Sequence, residues 1–326
     1  MVMLKFDVIC VGNAKIDAFL SIHEASAHLR LNKDTNELCI KSGEKITVDK
    51  CDFVLGGNAA NVAVGLSRLG LKTSIIAEIG DDEFSQKITK TLSNENVDIS
   101  YTKKTKGQPS SFSTIINFKG ERTIFSEHVH RKHDFTFNNL STKWIYLTSL
   151  GLEWKNAYAR TVEFVKKSKC MLAFNPGTLQ IAAGHESIAS VLSITNILFV
   201  NKEEAAKISN FKFLISNDKD DKEIIKKLLE TLRKLGPKIV VITDGPNGSY
   251  AIDQKGAMFT KGHVPCRIVE RTGAGDAYST GFLAAILHGL TIKDAMSWGA
   301  INAASVIEQI GAQKGLLTID QIKKTL

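Results

Sequence analysis

Between Val269 and Asp276 the chain reads Val-Glu-Arg-Thr-Gly-Ala-Gly-Asp, and an apolar stretch follows. Gly273 and Gly275 flank one small residue, Ala274, so consecutive backbone N–H groups can approach a ligand with no side chain in the way. From about Ala277 to His288, the residues Tyr278, Phe282, Ala285 and Ile286 recur at helical spacing. That spacing makes Gly273 to Gly275 the N-terminal mouth of a helix, where unpaired N–H groups and the positive dipole end favour an anion. Asp276 sets a carboxylate against that anion site. A bound phosphate would repel it, unless the Asp handles a hydroxyl that is attacking the phosphate. The same residues also read as a Gly-rich strand-to-helix turn with the Asp as a helix cap.

Four further clusters follow segments that read as strands, which in an open α/β sheet brings them to one edge. Asn13 and Asp17 come after Phe6–Gly12, a short apolar run stopped by glycine, and are expected in a loop. Gly56-Gly57-Asn58-Ala59-Ala60-Asn61 opens a helix whose inner stripe is Ala60, Ala63, Val64 and Leu66, closed by Gly70. Asn201-Lys202-Glu203-Glu204 follows the apolar run Ile197 to Val200, and Thr243-Asp244-Gly245-Pro246-Asn247-Gly248 follows Ile239 to Thr243. Each has a plain structural reading as well: Asn58 and Asn201 as N-caps, the Asp-Gly and Asn-Gly pairs as turns, Asp17 as a solvated carboxylate. Their joint occurrence at strand ends is what points to a site.

The elements that must hold these clusters can be read from periodicity. Strands are expected at Thr73 to Ile79, Ile145 to Leu147, Met171 to Phe174, Ile197 to Val200, Ile239 to Thr243 and Ser249 to Ile252. Helices are expected at about Asp82 to Asn94, Asn156 to Lys167, Ile188 to Ser193, Lys202 to Ile208, Lys222 to Leu235 and Thr291 to Ile310. Asn210 to Asp221 is polar and reads as a surface loop. This alternation is that of a mostly parallel sheet covered on both faces. Two blocks depart from it. Phe19 to Leu55 holds short alternating pieces, Glu37 to Ile40 and Lys45 to Val48. Ser111 to Phe118 and Arg122 to Ser126 form a hairpin around Lys119-Gly120. The two blocks are expected to pair into one small sheet.

Composition narrows the function class. With 326 residues, 43% apolar and 23% charged, the chain has the make-up of a globular protein with a sizeable core. No stretch approaches the ~20 uninterrupted apolar residues of a membrane span, and Met1 to Val11 reads as a first strand and not as a signal peptide. Five scattered cysteines without a C-x-x-C pair fit a reducing cytoplasm. The net charge of +8 is spread among acids, so a nucleotide or phosphorylated product suffices as the anionic partner and no nucleic acid is implied. A P-loop G-x-x-x-x-G-K-[ST] is absent, as is a G-x-G-x-x-G after the first strand.

The ordered clusters resemble the PfkB, or ribokinase-like, family of sugar and nucleoside kinases. Gly56-Gly57-Asn58-Ala59-Ala60-Asn61-Val62-Ala63 through Gly70 is similar to its first signature, and Thr272-Gly273-Ala274-Gly275-Asp276-Ala277 through Gly281 to its second. Asn201 and Glu204 fit its Asn-x-x-Glu motif, and Thr243, Gly245 and Gly248 its Thr-x-Gly-x-x-Gly loop. The resemblance implies a single ribokinase-like domain over 1–326, with a β-sheet lid built from insertions at about 17–55 and 108–130. It implies Asp276 as the base on a substrate hydroxyl, with Gly273, Ala274 and Gly275 as the anion hole for the γ-phosphoryl group of ATP. Asn201 and Glu204 would arrange Mg2+ through water, Thr243, Gly245 and Gly248 would hold the nucleotide, and Asn302 would sit in the adenine pocket. Asn13, Asp17, Gly56, Gly57, Asn58 and Asn61 would hold the sugar, and the lid is expected to close over it and to form a homodimer contact.

Three departures bear on detail. The family usually carries Asp-Thr before the Gly-Ala-Gly-Asp turn, where this chain has Glu270-Arg271. That Asp, with a loop like Gly311 to Gly315, helps bind a monovalent cation; with Glu270 in its place K+ activation is not expected, and Arg271 is expected to reach the nucleotide phosphates or to replace the ion. Asn58 stands where sugar-phosphate kinases commonly carry Lys, which favours a neutral sugar, with an adenosine-like nucleoside as the alternative and Phe112 as its stacking partner. His128, His130 and His133 with Arg131 and Lys132 read as an exposed polar loop. A non-enzymatic sugar or nucleotide sensor would have lost the base or the anion hole, and Asp276, Gly273 and Gly275 are all present.

Overall fold

The computed structural model describes residues 5–23, 26–35, 37–119, 121–127, 129–211 and 221–325. His128, Gly120 and most of the polar segment after Asn210 lie outside them.

An eight-stranded sheet runs in the spatial order Met258–Lys261, Ser249–Ile252, Ile239–Thr243, Ile197–Asn201, Met171–Phe174, Ser141–Leu147, Lys5–Val11 and Thr73–Ile76. Pairing is parallel from Ile239–Thr243 through Thr73–Ile76, and antiparallel where Ser249–Ile252 and Met258–Lys261 close one edge. Because side chains alternate along a strand, each strand feeds two cores. Val8, Cys10, Tyr146 and Phe199 point to one face, covered by the helices Asn58–Arg68, Ala274–Leu287 and Ile292–Ile307. Ile9, Val11, Ile145, Leu147, Leu198 and Val200 point to the other, under Trp154–Ser168, His185–Leu192, Lys202–Ile208 and Asp221–Lys234.

The two β-rich blocks do meet. Lys15–Ser21 pairs antiparallel with Lys50–Gly56 and parallel with Phe112–Phe118, which continues into the Glu121–Ser126 hairpin, giving a four-stranded sheet beside the main one. Details differ from expectation. Asp17 is a strand residue, because the chain turns at Asn13 and Ala14 and re-enters β structure at Lys15. Lys45 to Val48 forms no strand; the partner of Glu37–Ile40 is Leu29–Asn32, and Ile46 and Val48 pack against the small core of Ile22, Leu29, Ile116 and Phe118. The Thr73 to Ile79 run breaks at Ala77, and Glu78–Ile79 pairs instead with Lys103–Lys104.

The helix Ala274–Leu287 is buried nearly all round and is set by close packing. A Cβ at Gly281 would stand 2.5 Å from the carbonyl oxygen of Trp298, and one at Gly299 2.8 Å from that of Tyr278, so glycine at both lets the helices Ala274–Leu287 and Ile292–Ile307 touch by their backbones. Replacing Gly281 by Val therefore forces the helices apart. Chemical denaturation of Gly281→Val is expected to show a loss of about 1–3 kcal/mol, whereas Gly262→Ala, where a Cβ would meet nothing and the backbone is not left-handed, is expected to cost much less.

Candidate active site

Gly273 is the N-cap of the Ala274–Leu287 helix, in left-handed conformation with φ 80°, and Asp276 lies in the first turn. The cap is thus the glycine, and the carboxylate is free for another task. A Cβ on Gly273 would strike Ala312 of the Gly311–Gly315 loop, so this position demands glycine for both conformation and space. At Gly275 a Cβ would meet nothing, which leaves the helix mouth open to a ligand. The peptide oxygen of Asp276 accepts from Ser279 Oγ (3.0 Å) and Thr280 Oγ1 (2.7 Å), and Tyr146 Oη meets the same Ser279 hydroxyl at 2.8 Å. The first turn is therefore braced from below.

The Asp276 side chain is buried and turned toward the start of the Asn58–Arg68 helix. Asn58 Nδ2 donates to its Oδ1 (3.1 Å) and Asn61 Nδ2 to its Oδ2 (2.8 Å). Each amide is itself oriented: Ser149 Oγ donates to Asn58 Oδ1 (2.9 Å), and Gln313 Nε2 to Asn61 Oδ1 (2.9 Å). Burial pushes the Asp276 carboxyl up to about 6; the two amides pull against that, and the nearby Asp17 and Glu204 charges add to it. A carboxylate poised near neutrality beside an open helix mouth can accept a proton from a hydroxyl held there.

Across from Asp276 stands Asp17, 5% exposed, with Oδ1 buried and without a hydrogen bond. Burial also raises its pKa, while Lys15, 3.9 Å away, and the Ser113 hydroxyl lower it. A buried acceptor without a donor suits a ligand hydroxyl. The paired glycines make this approach possible. A Cβ at Gly56 would run into the Asp17 carboxylate, and one at Gly57, at φ 93°, would stand 2.5 Å from the Asn13 carbonyl oxygen. Asn13 itself is tied by its backbone to Ser149 (3.2 Å) and Ala60 (3.4 Å). Asn13, Asp17, Gly56, Gly57, Asn58 and Asn61 thus converge with Asp276 at one edge of the sheet.

On the other side of the helix mouth a cleft of about 440 Å³ opens. Thr243, Gly245 and Gly248 line it at one end, Arg271, Ala274 and Gly275 at the mouth, and the small side chains of Ala300 and Ala303 open its floor. Its walls of glycine, alanine and aliphatic side chains suit a flat ring, and its mouth suits a phosphate chain. Asn302 is not part of it. That residue is 0% exposed, its Nδ2 donates to the Ala277 carbonyl (2.8 Å), and its Oδ1 accepts from Leu317 N (3.0 Å). Its amide is spent on joining the Ala274–Leu287 helix to the segment after Gly315, so the expected contact with a base is corrected.

Asn201 and Glu204 form a reciprocal capping box at the start of the Lys202–Ile208 helix, with Asn201 Oδ1 accepting from Glu204 N (2.8 Å) and Glu204 Oε2 from Asn201 N (2.9 Å). Burial raises the Glu204 pKa, with the backbone hydrogen bond opposing. One carboxylate oxygen stays available. The described residues hold no group of three or more His, Cys, Asp or Glu able to cage a metal. A donor set this sparse does not enclose an ion, but it fits Mg2+ kept in its waters and bound mainly by phosphates.

At Glu270, where the resemblance places a monovalent-cation site, Oε1 accepts from Arg122 Nη1 (3.1 Å), Thr272 N (2.7 Å) and Thr272 Oγ1 (2.5 Å). The positive charge beside it is the guanidinium of Arg122 from the small sheet, and Arg271 is exposed at the cleft. Sequence reading also missed Ser149 and Gln313; the first is marked only by following the Ser141–Leu147 strand, the second by lying in the Gly311–Gly315 loop. The basic run is another correction. Arg131 and His133 are 4% and 3% exposed, Arg131 donating to Gln108 and to the Pro109 carbonyl, and the His133 backbone donating to Glu78 (2.9 Å). Phe112 stacks on Phe84 at 5.7 Å and lies tilted against Phe53 at 6.4 Å, so its ring is engaged within the protein.

Comparison with known proteins gives the family. The family model described as pfkB family carbohydrate kinase matches residues 19–319. A 5-dehydro-2-deoxygluconokinase of Clostridium perfringens is 26% identical over 340 aligned positions, covering 98% of this chain and 92% of the relative. A nucleoside kinase of Methanocaldococcus jannaschii is 26% identical over 98% of the chain and 96% of its own length, and the crystal structure of that organism's nucleoside kinase superposes with a TM-score of 0.77. The Arabidopsis thaliana ribokinase complexed with ribose and ATP superposes equally well, at 0.77, with 18% identity and 98% of both chains covered.

The two amides that grip Asp276 make its titration testable. Hydrogen bonds to a carboxylate favour its charged form, so removing one raises the pKa further. Carboxyl-carbon NMR of the wild-type protein is expected to show Asp276 titrating near about 6, and in Asn61→Ala at a higher pH; a midpoint near 4 in both would contradict the described burial.

Proposed function

The chain belongs to the pfkB family of carbohydrate kinases, and from that premise we propose that it moves the γ-phosphoryl group of ATP to a hydroxyl of a small neutral sugar. The observation that carries this reading is the Asp276 carboxylate, held by Asn58 and Asn61 between the Asp17 oxygen that lacks a hydrogen bond and the open helix mouth. Asp17 and Asn13 with the Gly56–Gly57 turn hold the sugar, and Asp276 takes the proton from the attacking hydroxyl. The hydroxyl oxygen bonds to the γ-phosphorus as the bond to the β-phosphate oxygen breaks, and ADP leaves. The N–H groups of Gly273, Ala274 and Gly275 face the charge that builds up on the transferring group. Thr243, Gly245 and Gly248 hold the nucleotide in the cleft, with Arg271 at the phosphate end. Asn201 and Glu204 would hold Mg2+ through its waters, and the ion would supply charge neutralisation along the phosphates.

The small sheet acts as a lid over the sugar. Neutral charge at Asn58, where a Lys would serve a phosphosugar, supports a neutral acceptor. A nucleoside is the second reading, supported by the likeness to the nucleoside kinase over nearly the whole chain. The free cysteines among the described residues support a reducing, cytoplasmic setting. Ile124 and Phe125 on one edge strand of the small sheet and Phe53 on the other are 44%, 55% and 42% exposed, which supports a second copy of the chain packing there. Sedimentation equilibrium is expected to give a dimer that Phe125→Asp dissociates; a wild-type monomer contradicts the contact.

A transfer screen with Mg-ATP against ribose, fructose, sugar acids, adenosine and fructose 6-phosphate tests the activity. One neutral acceptor is expected to turn over, and Asp276→Asn to lower that rate by ~10²-fold or more. Only the deprotonated carboxylate can accept the proton, so kcat/KM is expected to fall as pH drops through about 6. Full activity in Asp276→Asn, or turnover confined to the phosphosugar, would overturn the assignment.

A further inference from the structure

Glu270 is a buried carboxylate one residue removed from Thr272, and its partners come from two parts of the fold. Its side chain is 3% exposed, and Oε1 receives the Thr272 amide and hydroxyl together with the guanidinium of Arg122. Arg122 lies on Glu121–Ser126, the edge strand of the small sheet, opposite Asn117. Thr272 leads directly into Gly273, the cap of the helix whose mouth receives the anion. The turn is otherwise pinned by Val269 N and Glu270 N, both donating to the Ile307 carbonyl (3.0 Å). Phe19 and Val54 of the small sheet also lie against Gly311, next to the Ala312 that fills the space beside Gly273. The small sheet therefore reaches the anion-binding turn by an ion pair and by packing.

Charge makes the ion pair matter more than its length. A carboxylate buried without a counter-charge is costly and relieves the cost by protonation or by moving. With Arg122 withdrawn, the Glu270 carboxylate would turn away toward water, and Thr272 N and Oγ1 would lose the acceptor that holds them. The pair is also incomplete as it stands. Among the described residues Glu270 Oε2 is buried without a hydrogen-bond partner, and Arg122 meets the carboxylate through Nη1. A guanidinium can take both oxygens of a carboxylate in a planar fork, so a short further approach of the sheet would satisfy the orphaned oxygen.

We propose that Arg122 is a positioning residue that couples seating of the small sheet to the anion-binding turn, through Glu270 and Thr272. The sheet would then do more than cover the acceptor: its arrival completes the turn that receives the phosphoryl group, so transfer to water is disfavoured while the sheet is away. The protein carries this cation in its own chain, and no dissolved ion is needed at Glu270. The inference rests on the kinase reading for its rate consequence but not for its structural one.

The test compares wild type, Arg122→Ala and Arg122→Lys. In Arg122→Ala, kcat is expected to fall by about 10²-fold, the scale of a misplaced reacting group, with KM for ATP little changed. Arg122→Lys is expected to recover part of the loss, and guanidinium chloride at non-denaturing concentration to restore Arg122→Ala but not to stimulate wild type. Exchanging potassium for tetramethylammonium is expected to leave the wild-type rate unchanged. Hydrogen exchange supplies a readout independent of turnover: the amides of Thr272 to Gly275 are expected to exchange faster in Arg122→Ala while the central sheet does not. Unchanged kcat in Arg122→Ala, loss that neither Lys nor guanidinium relieves, or strong potassium dependence of wild type would overturn the proposal. Should no acceptor turn over, the kinase reading fails while exchange at Thr272 still decides the coupling.

Discussion

A carboxylate taken out of water needs donors in place of its hydration shell, and Asp276 finds them on a different helix. Asn58 and Asn61 belong to the Asn58–Arg68 helix, and their amides can meet Asp276 only if both helix starts sit at the same edge of the central sheet. The fold supplies that condition. Both helices cover one face of the sheet, Gly65 lets Thr280 approach, and Gly281 and Gly299 allow the helix behind to press the Ala274–Leu287 helix into place. Three glycines remote from the reacting atoms thus set the distance on which the carboxylate depends.

The same constraint explains the charge pattern. Asp17, Glu204 and Asp276 are gathered where little water reaches, and each has its pKa raised chiefly by burial. Their mutual repulsion is tolerated because fixed dipoles stand close by: the amides on Asp276, the capping box on Glu204, and Lys15 with the Ser113 hydroxyl near Asp17. Three carboxylates held near an open helix mouth are what the proposed transfer calls for, a proton arriving on one of them while negative charge moves past the others. Glu270 is the exception in kind. Its charge is met by a guanidinium from the small sheet, and it supports the turn and not the acceptor.

Much of this was legible in the sequence, and the boundary of legibility has physical causes. The parallel strands announced themselves as short apolar runs, and Ile239–Thr243 and Ser249–Ile252 match their expected limits. The Gly-Ala-Gly-Asp turn and the Gly-Gly-Asn-Ala-Ala-Asn opening are local chemistry, visible because glycine spacing and helical period are local. The small sheet was harder. Lys15–Ser21 pairs with residues nearly a hundred positions away, and its place is set by that partner and not by its own alternation. Lys45 to Val48 alternates like a strand, yet Ile46 and Val48 meet a hydrophobic cluster with no ladder beside them. Arg131 and His133 looked exposed because they are basic, but Glu78 and Gln108 supply buried partners. Asn302 shows the limit from the other side: its position in the chain suggested a base contact, and only the structure reveals that both halves of its amide are already bonded.

The measurement that bears most directly on the account is a crystal structure of the protein with ADP, Mg2+, aluminium fluoride and the acceptor found by the screen. A planar fluoride group is expected within hydrogen-bonding distance of the N–H groups of Gly273 to Gly275, with the acceptor hydroxyl between it and the Asp276 carboxylate still gripped by Asn58 and Asn61. A fluoride group bound away from that helix mouth, or an acceptor hydroxyl resting on a group other than Asp276, would contradict it.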